Sequence, residues 1–210
     1  MPKISADSVA AHRASKEQEI VAVAAGLIAD GAGAEMTIGG VAAAVGLTRT
    51  AVYKYFDSVD DIRWRIVSDA FDRWQQAVAL AVDAVDAVDT GDAVDTARAA
   101  HDRIEAYVDA TLALADDGAH RIAMTAGGIG PAAERADDLR RLHAGLRVPL
   151  EAALTQLGSV SPPLTASLID GLIGRAIELM DNGENVKTVT GLTKDYVARI
   201  VGLEIAKDQR

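Results

Sequence analysis

The stretch from Thr37 to Asp57, TIGGVAAAVGLTRTAVYKYFD, decides the fold, because it predicts two short helices joined by a tight turn. Thr37 is suited to cap the first helix, since its hydroxyl can accept a hydrogen bond from a free amide of the first turn. Gly46 is suited to end that helix, since glycine readily adopts the left-handed conformation of a tight turn. Between them, apolar residues recur at the spacing of one helix face: Ile38, Val41, Ala42 and Val45.

A second helix is expected to run from about residue 49 to 56, with Thr48 as its cap. Val52 and Phe56 lie four residues apart and are expected to point inward with Leu47. The other faces carry side chains that suit phosphates and base edges: Arg49, Thr50, Tyr53 and Lys54. Two interpretations fit this pattern, a helix-turn-helix that reads a DNA major groove and a solvated helix face in an ordinary all-α core.

Short motifs extend this pattern along the chain. They are Ala29-Asp30-Gly31, Thr37-Ile38, Val41-Ala42, Val45-Gly46-Leu47-Thr48, Ala51-Val52-Tyr53-Lys54-Tyr55-Phe56 and Asp60-Asp61-Ile62. On these motifs, residues 15–65 resemble the N-terminal domain of the TetR family of one-component transcriptional repressors. The most specific element is Tyr-x-x-Phe just after a turn of glycine, a hydrophobic residue and threonine. The rest of the chain resembles the family only in length and helical character.

The resemblance implies an all-α fold of about nine helices. A three-helix, helix-turn-helix DNA-binding domain would occupy residues 1–57, and an effector-binding and dimerisation domain residues 58–210. Such a regulator, usually a repressor, binds a palindromic double-stranded DNA operator as a homodimer and is released by a small-molecule effector. The residues assigned to DNA contact on this basis are Thr37, Thr48, Arg49, Thr50, Tyr53, Lys54 and Tyr55.

Three positions, at two places in the chain, depart from the family pattern. Val59 stands where relatives often carry a basic residue that touches a phosphate, so that charge is missing here. Gly39 and Gly40 stand where many relatives have polar or basic side chains, and they offer only backbone amides. Base readout is therefore expected mainly from Arg49 and Thr50, with Tyr55 as a further candidate.

The net charge of −10 argues against nucleic-acid binding until its distribution is considered. Residues 1–56 carry five basic and five acidic side chains, so the whole deficit lies in residues 57–210. An acidic body repels DNA and helps to restrict binding to one face of the protein. Arg13 and Lys16 lie near the start of the first helix, where they could touch the DNA backbone or serve as ordinary surface charges.

The composition excludes several other classes of protein. The chain has no cysteine, which excludes disulfides and cysteine-ligated zinc and is compatible with a reducing cytoplasm. The polar N-terminus does not resemble a signal peptide, and no apolar run is long enough for a membrane span. We expect no cofactor, no metal and no membrane association.

Helical periodicity predicts seven further elements, and no segment is convincing as a strand. Their expected ranges are 15–30, 59 to at least 80, 94–115, 120–125, 132–157 with a possible kink at Pro149, 161–180 and 193–206. Aspartates recur every third residue from Asp83 to Asp95, which fails the spacing of a calcium loop and indicates a solvated acidic helix face, fraying near residues 90–91. The glycine-rich segment 127–131 lacks the spacing and the preceding strand of a nucleotide-binding loop and is expected to be a break.

The expected effector site is mainly aliphatic, because the long C-terminal helices are rich in alanine, valine and leucine and poor in aromatic residues. We therefore expect an apolar effector. Candidate lining residues are Phe71, Trp74, His101, Tyr107, Met124 and Met180. Each has an alternative role in core packing, and His101 and His120 also fit the pattern of surface or hydrogen-bonded core histidines.

The last two helices carry apolar stripes suited to a dimer interface. The first stripe contains Leu164, Leu168, Gly171 and Leu172 and continues to Ala176 and Leu179 or Met180, with Gly174 beside it. The second contains Tyr196, Ile200 and Leu203, with Val197 as a further candidate. The resemblance implies that these stripes pair with their copies as a four-helix bundle, whereas some of the residues must belong to the intramolecular core.

Two other function classes remain open at this point. An enzyme is disfavoured because no nucleophilic motif occurs, although His101, Asp102 and Glu105 could be drawn as an acid–base set. No catalytic residue is assigned. A helical small-molecule-binding protein without specific DNA binding is the other alternative, and the weak basic character of residues 1–56 fits it.

Overall fold

The chain folds into helices in a computed structural model that describes residues 6–86, 93–116, 118–128 and 135–208. Within these ranges it forms nine α-helices and no strand, which confirms the predicted all-α class. The helices are α1 (Ala6–Ala29), α2 (Ile38–Val45), α3 (Arg49–Val52), α4 (Val59–Asp86), α5 (Ala93–Asp116), α6 (Ala119–Gly128), α7 (Ala136–Gln156), α8 (Pro162–Asp181) and α9 (Val186–Asp208).

Contacts divide the chain into two compact units. The N-terminal unit comprises Met1–Ala70 with Arg121–Ala136, and the C-terminal unit comprises Phe71–His120 with Asp137–Arg210. The division falls inside α4 and assigns most of α6 to the N-terminal unit. The boundary predicted after residue 57 divides the chain by function rather than by contacts, and it stays a prediction.

The N-terminal unit is built on the apolar faces of its first helices. Helix α1 packs against α2, and α2 packs against α3. The buried side chains include Ile20, Ala24, Ile28, Ile38, Val41, Ala42, Val52, Phe56, Ile62 and Ile66. Of the apolar positions predicted for α2, Ile38, Val41 and Ala42 are in this set, whereas Val45 is half-buried.

Arg63 fixes the loop that precedes α2. Its side chain is almost fully buried, and its Nη2 donates to the carbonyl oxygen of Gly33 at 2.9 Å. Its Nη1 bonds Asp60 Oδ1 at 2.7 Å on the same helix. A buried charge is tolerated only when it is paired and hydrogen-bonded, so Arg63 ties the first turn of α4 to the entry of α2.

The C-terminal unit has one aliphatic core formed by α5, α8 and α9 together with parts of α4 and α7. Its members include Val78, Ile104, Tyr107, Val108, Leu112, Leu150, Leu154, Ile169, Ile173, Val197 and Val201. Ala176 and Val197 belong to this core, so the suggestion that they form part of a dimer stripe is wrong for these two residues.

Several helix boundaries differ from the prediction. Helix α1 begins at Ala6 rather than near residue 15, and the ion pair of Arg13 with Glu17, at i, i+4 spacing, reaches into this extension. Helix α9 begins at Val186 rather than near residue 193, because Asn185 Oδ1 accepts the Thr188 amide at 3.0 Å and caps it. Helix α7 runs on through Pro149.

Helix α3 is shorter than predicted, since its α-helical part ends at Val52 rather than near Phe56. The chain then tightens, because the amides of Lys54 and Tyr55 bond the carbonyls three residues earlier. Such tightening is common in a final helical turn. Ser58 caps the next helix by accepting the Asp61 amide at 3.1 Å.

Some predicted features lie wholly or partly outside the described residues. They include the fraying near residues 90–91, Asp89 and Asp92 of the acidic repeat, and residues 129–131 of the expected break. Residues 127 and 128, the first two of that segment, belong to α6. No helix in the described ranges is long and apolar enough to cross a membrane.

Candidate functional site

The turn between α2 and α3 has the geometry that its sequence predicts. Thr37 Oγ1 accepts the Gly40 amide at 3.1 Å, and Thr48 Oγ1 accepts the Ala51 amide at 3.2 Å, so both threonines are caps. Gly46 has φ 76°, and its amide bonds the carbonyls of Ala42 and Ala43. Since this left-handed conformation is costly for a residue with a Cβ, glycine is what sets the angle between the two helices.

The apolar and polar faces of α3 separate clearly. Val52 and Phe56 are buried, whereas Leu47 at the turn is only half-buried. The predicted DNA-contacting residues that are exposed include Arg49, Thr50, Tyr53 and Lys54, while Tyr55 is half-buried. The helix-turn-helix therefore presents one continuous stretch of polar and basic side chains to solvent.

Two cations on this surface remain available for an anionic partner. Arg49 Nη2 donates to the Tyr53 hydroxyl at 3.0 Å, and the guanidinium lies over the Tyr53 ring, 5.6 Å from its centroid. Neither Arg49 nor Lys54 has a carboxylate partner among the described residues. Because Tyr53 orients Arg49 without neutralising it, the guanidinium keeps its charge for a phosphate or a guanine edge.

The two basic residues near the start of α1 are already engaged. Arg13 Nε bonds Glu17 at 2.8 Å and Lys16 Nζ bonds Glu19 at 2.6 Å. Arg13 also lies over the ring of Tyr55, 5.6 Å from its centroid. Of the two interpretations offered by the sequence, these exposed pairs favour surface charges, while Arg13 borders the polar stretch through Tyr55.

Helix α6 and Arg135 complete the N-terminal unit, which the sequence did not indicate. Arg135 Nη2 donates to Asp61 Oδ1 at 2.8 Å, and its guanidinium lies 5.0 Å from the centroid of the Trp64 ring. Gly127 lies beside Val67, since an added Cβ would be in ordinary van der Waals contact with that side chain at 3.7 Å. These contacts join residues far apart in sequence, and no local pattern could have revealed them.

The candidate effector residues occupy several different environments. Phe71 and Trp74 are buried and in edge-to-face contact at 5.1 Å, and Trp74 stacks on His120, which bonds Asp181 at 3.1 Å. Tyr107 lies in the aliphatic core and Met180 packs against it. His101 is exposed, and Met124 is exposed in the N-terminal unit. The described contacts therefore bring Phe71 and Trp74 together, and place Tyr107 and Met180 in one core, but do not join all six.

A polar cluster lies at the edge of the C-terminal core and was not predicted. The Tyr107 hydroxyl donates to Asp170 Oδ1 at 2.8 Å, and Arg147 Nη1 lies 3.7 Å from Asp170 Oδ2. Burial, followed by the neighbouring Asp170 charge, raises the pKa of Tyr107, so its hydroxyl stays protonated as a donor. Burial also raises the pKa of Asp170, although the bond from Tyr107 and the charge of Arg147 oppose that shift.

The predicted dimer residues form an exposed surface on α8 and α9. Leu164 and Leu168 are each 61% exposed and Tyr196 is 47% exposed. Gly171 is also exposed, whereas Leu172 and Ile200 are half-buried. Leu192, on the same side of α9, is 49% exposed and was not predicted, although its i, i+4 spacing to Tyr196 could have revealed it. The side chain of Leu203 lies outside the described set.

Solved structures share the architecture of this chain. A TetR-family transcriptional regulator, PfmR from Thermus thermophilus, matches with a TM-score of 0.58 and 18% identity over 87% of this chain and 96% of that one. The fatty acid degradation regulator FadR from Bacillus halodurans matches with a TM-score of 0.61 and 16% identity over 87% and 94%. AmtR from Mycobacterium smegmatis matches with a TM-score of 0.56 and 18% identity over 89% and 86%.

No protein-family model matches the sequence, and no curated protein is similar to it. The structural matches cover most of the length of both partners. At identities below 20% such matches establish architecture rather than specificity. The chain therefore has the fold of the TetR-family transcriptional regulators.

Proposed function

We propose that this chain is a DNA-binding transcriptional regulator of the TetR type. It acts as a repressor that binds a palindromic operator as a homodimer, and it is not an enzyme. The observation that carries the proposal is the helix-turn-helix with Arg49 and Lys54 exposed beside Thr50 and Tyr53, without a carboxylate partner in the described part of the chain. The cytoplasm is the compartment in which this function operates.

The contacts divide into two kinds. Lys54 and the hydroxyls of Thr37, Thr48 and Tyr53 suit phosphate oxygens, which fix the position of the protein on the duplex. Arg49 is the side chain best suited to a base edge, because a guanidinium bonds guanine O6 and N7 bidentately. Thr50 and the exposed part of Tyr55 border this position and would contact neighbouring base edges or sugars.

A second copy, paired with the first through α8 and α9, provides the other half of the operator contacts. One short α3 offers few contacts, and the charges of residues 1–56 sum to zero. Two copies whose α3 helices are separated by about 34–36 Å would meet successive major grooves on one face of DNA. A small, mainly apolar effector bound in the C-terminal unit would favour another separation and so release the operator by population shift.

A gel-shift experiment with the DNA upstream of the chain's own gene tests this proposal. The wild type is expected to bind that DNA more tightly than a random fragment, with an affinity that falls as salt concentration rises. Arg49→Ala is expected to weaken operator binding by about ten- to a hundredfold, since a bidentate guanine contact contributes about 1–3 kcal/mol. Binding to random DNA should fall much less.

Arg98→Ala is the matched control, because Arg98 is an exposed arginine of the C-terminal unit that pairs at the surface with Asp102. It should bind the operator like the wild type. Unchanged affinities of Arg49→Ala for both DNAs would contradict the assigned base contact. A wild type that binds neither DNA would instead favour the alternative function, a helical small-molecule-binding protein, which the electrical neutrality of residues 1–56 also fits.

A further inference from the structure

A groove between α5 and α9 forms a cavity of about 280 Å³ in the C-terminal unit. Its floor is aliphatic, because Ile104 and Val108 of α5 meet Val197 and Val201 of α9, and all four are buried. Its rim is polar and carries His101, Glu105, Lys194 and Asp195. An aliphatic floor with a few polar groups at the rim is the usual composition of a small-molecule site.

The rim of this groove carries an excess of negative charge. Lys194 Nζ lies 2.6 Å from Glu105 Oε1 and 2.8 Å from Asp109 Oδ2, so one ammonium is shared by two carboxylates. Asp195 lines the same groove and has no ion-pair partner among the described residues. Glu105 and Asp195 line the groove and Asp109 adjoins it through Lys194, so three carboxylates outnumber a single lysine. This imbalance would repel an anion and attract a cation.

The groove faces away from the exposed stripe of α9. With 100° of rotation per helical residue, Lys194, Val197 and Val201 lie on a different side of α9 from Tyr196. A dimer formed through Tyr196 and the exposed leucines of α8 would therefore leave the groove open to solvent. Of the six effector candidates, His101 lines the groove, whereas the aromatic pair of Phe71 and Trp74 does not.

We propose that the groove between α5 and α9 binds a small organic cation whose ammonium group meets Asp195 and Glu105 and whose aliphatic body lies on the valine and isoleucine floor. A volume at the lower end of ordinary ligand pockets favours a short alkylamine over a larger molecule. This site lies apart from the buried pair of Phe71 and Trp74, and it includes only His101 of the effector candidates.

Titration of the full-length protein with n-hexylammonium, hexanoate and hexanol tests the proposal, because these probes share an alkyl chain and differ in charge. Methyl NMR spectra of isoleucine and valine report the position of binding. We expect saturable shifts of Ile104, Val108, Val197 and Val201 with n-hexylammonium, weaker shifts with hexanol and none with hexanoate. Equal responses to the three probes, or shifts confined to other methyl groups, would overturn the assignment.

Two variants and one control refine the test. Asp195→Asn is expected to weaken n-hexylammonium binding about tenfold, because it removes the carboxylate that meets the ammonium group. Asp102→Asn removes the same charge from the exposed surface of α5 outside the groove and should leave the affinity unchanged. Equal effects of the two substitutions would show a general charge effect and refute a specific site.

Ala198→Leu provides an independent check, because Ala198 lines the groove and is exposed, so a larger side chain fills the groove without disturbing the buried core. Its circular dichroism spectrum and melting temperature should match those of the wild type, while the shifts induced by n-hexylammonium should be lost. Binding of n-hexylammonium by this variant with wild-type affinity would also refute the proposal.

Discussion

Asp170 is a carboxylate that the fold holds in a poorly solvated position. Tyr107 and Arg147 face it, but burial outweighs both and raises its pKa above the ordinary value for an aspartate. The unfolded chain therefore loses this proton at a lower pH than the native protein does. Between the two pKa values the native state binds more protons, so stability falls as pH rises through that window.

Asp170→Asn tests this linkage. An asparagine oxygen can still accept the hydrogen bond from Tyr107, but the side chain no longer ionises. We expect the free energy of unfolding of the variant to increase relative to that of the wild type as pH rises through the window above the ordinary aspartate pKa, because only the wild type loses stability there. Urea unfolding at several pH values measures this difference, and a difference that does not change with pH would contradict the cause assigned to the shift.

The turn between α2 and α3 shows how a single backbone conformation determines the arrangement of two elements. Gly46 has φ 76° and no side-chain atom near the position of an added Cβ, so strain rather than collision decides the effect of substitution. Gly46→Ala is expected to destabilise the protein by about 1–2 kcal/mol, the cost of placing an L-residue in the left-handed region. Chemical denaturation measures the change.

Gly26→Ala is the matched control for the Gly46 substitution. Gly26 lies within α1 in the same unit, and nothing lies within 4 Å of the position of its added Cβ. There the same substitution should stabilise the protein by roughly 0.5–1 kcal/mol, because alanine loses less conformational entropy in a helix. A loss of stability at both positions would indicate that alanine is poorly accommodated for a reason other than backbone conformation.

The elements that could be predicted are those whose signals are local. Thr37, Gly46 and Thr48 act within four residues of their own positions, so their capping and turn roles could be inferred from the sequence and are confirmed. The exposed positions of Leu164 and Leu168 also follow from helical periodicity. The cap at Asn185 is equally local but was not predicted. The predicted start of α9 is therefore several residues too late.

The features that could not be predicted depend on which helices meet. Arg63 reaches the carbonyl of Gly33, Arg135 reaches Asp61, and Lys194 joins two carboxylates of α5. The partners in each of these contacts are at least 30 residues apart, and a charged side chain on a helix has the same local pattern whether its partner is water or a distant residue. The polar cluster around Asp170 could not be predicted for the same reason.

At the scale of the whole molecule, the exposed leucines of α8 make dimerisation testable. Leu168→Glu would place a charge where the proposed partner helix packs. It would also remove the free energy of burying this leucine, about 1.5–3 kcal/mol for each copy. We expect the dimer dissociation constant to rise at least tenfold, with loss of operator binding at concentrations where the variant is monomeric. Sedimentation at micromolar concentrations and gel shifts measure the two effects.

Val148→Glu is the control for Leu168→Glu, because Val148 is equally exposed but lies on α7, outside the α8 and α9 stripe. It should remain dimeric and bind the operator. A wild type that sediments as a monomer at micromolar concentration would contradict the proposed assembly, and a dimer unaffected by Leu168→Glu would place the interface elsewhere.

The interleaving of the two units along the chain has a consequence for biosynthesis. The helix-turn-helix is translated early, yet its unit includes Arg121–Ala136, and residues 71–120 must be synthesised in between. During that interval Asp61, Trp64 and Val67 lack the partners that α6 and Arg135 provide. The N-terminal unit of a nascent chain therefore cannot complete its contacts before residues 121–136 are made, so an interrupted translation product that contains the whole helix-turn-helix would still lack part of that unit.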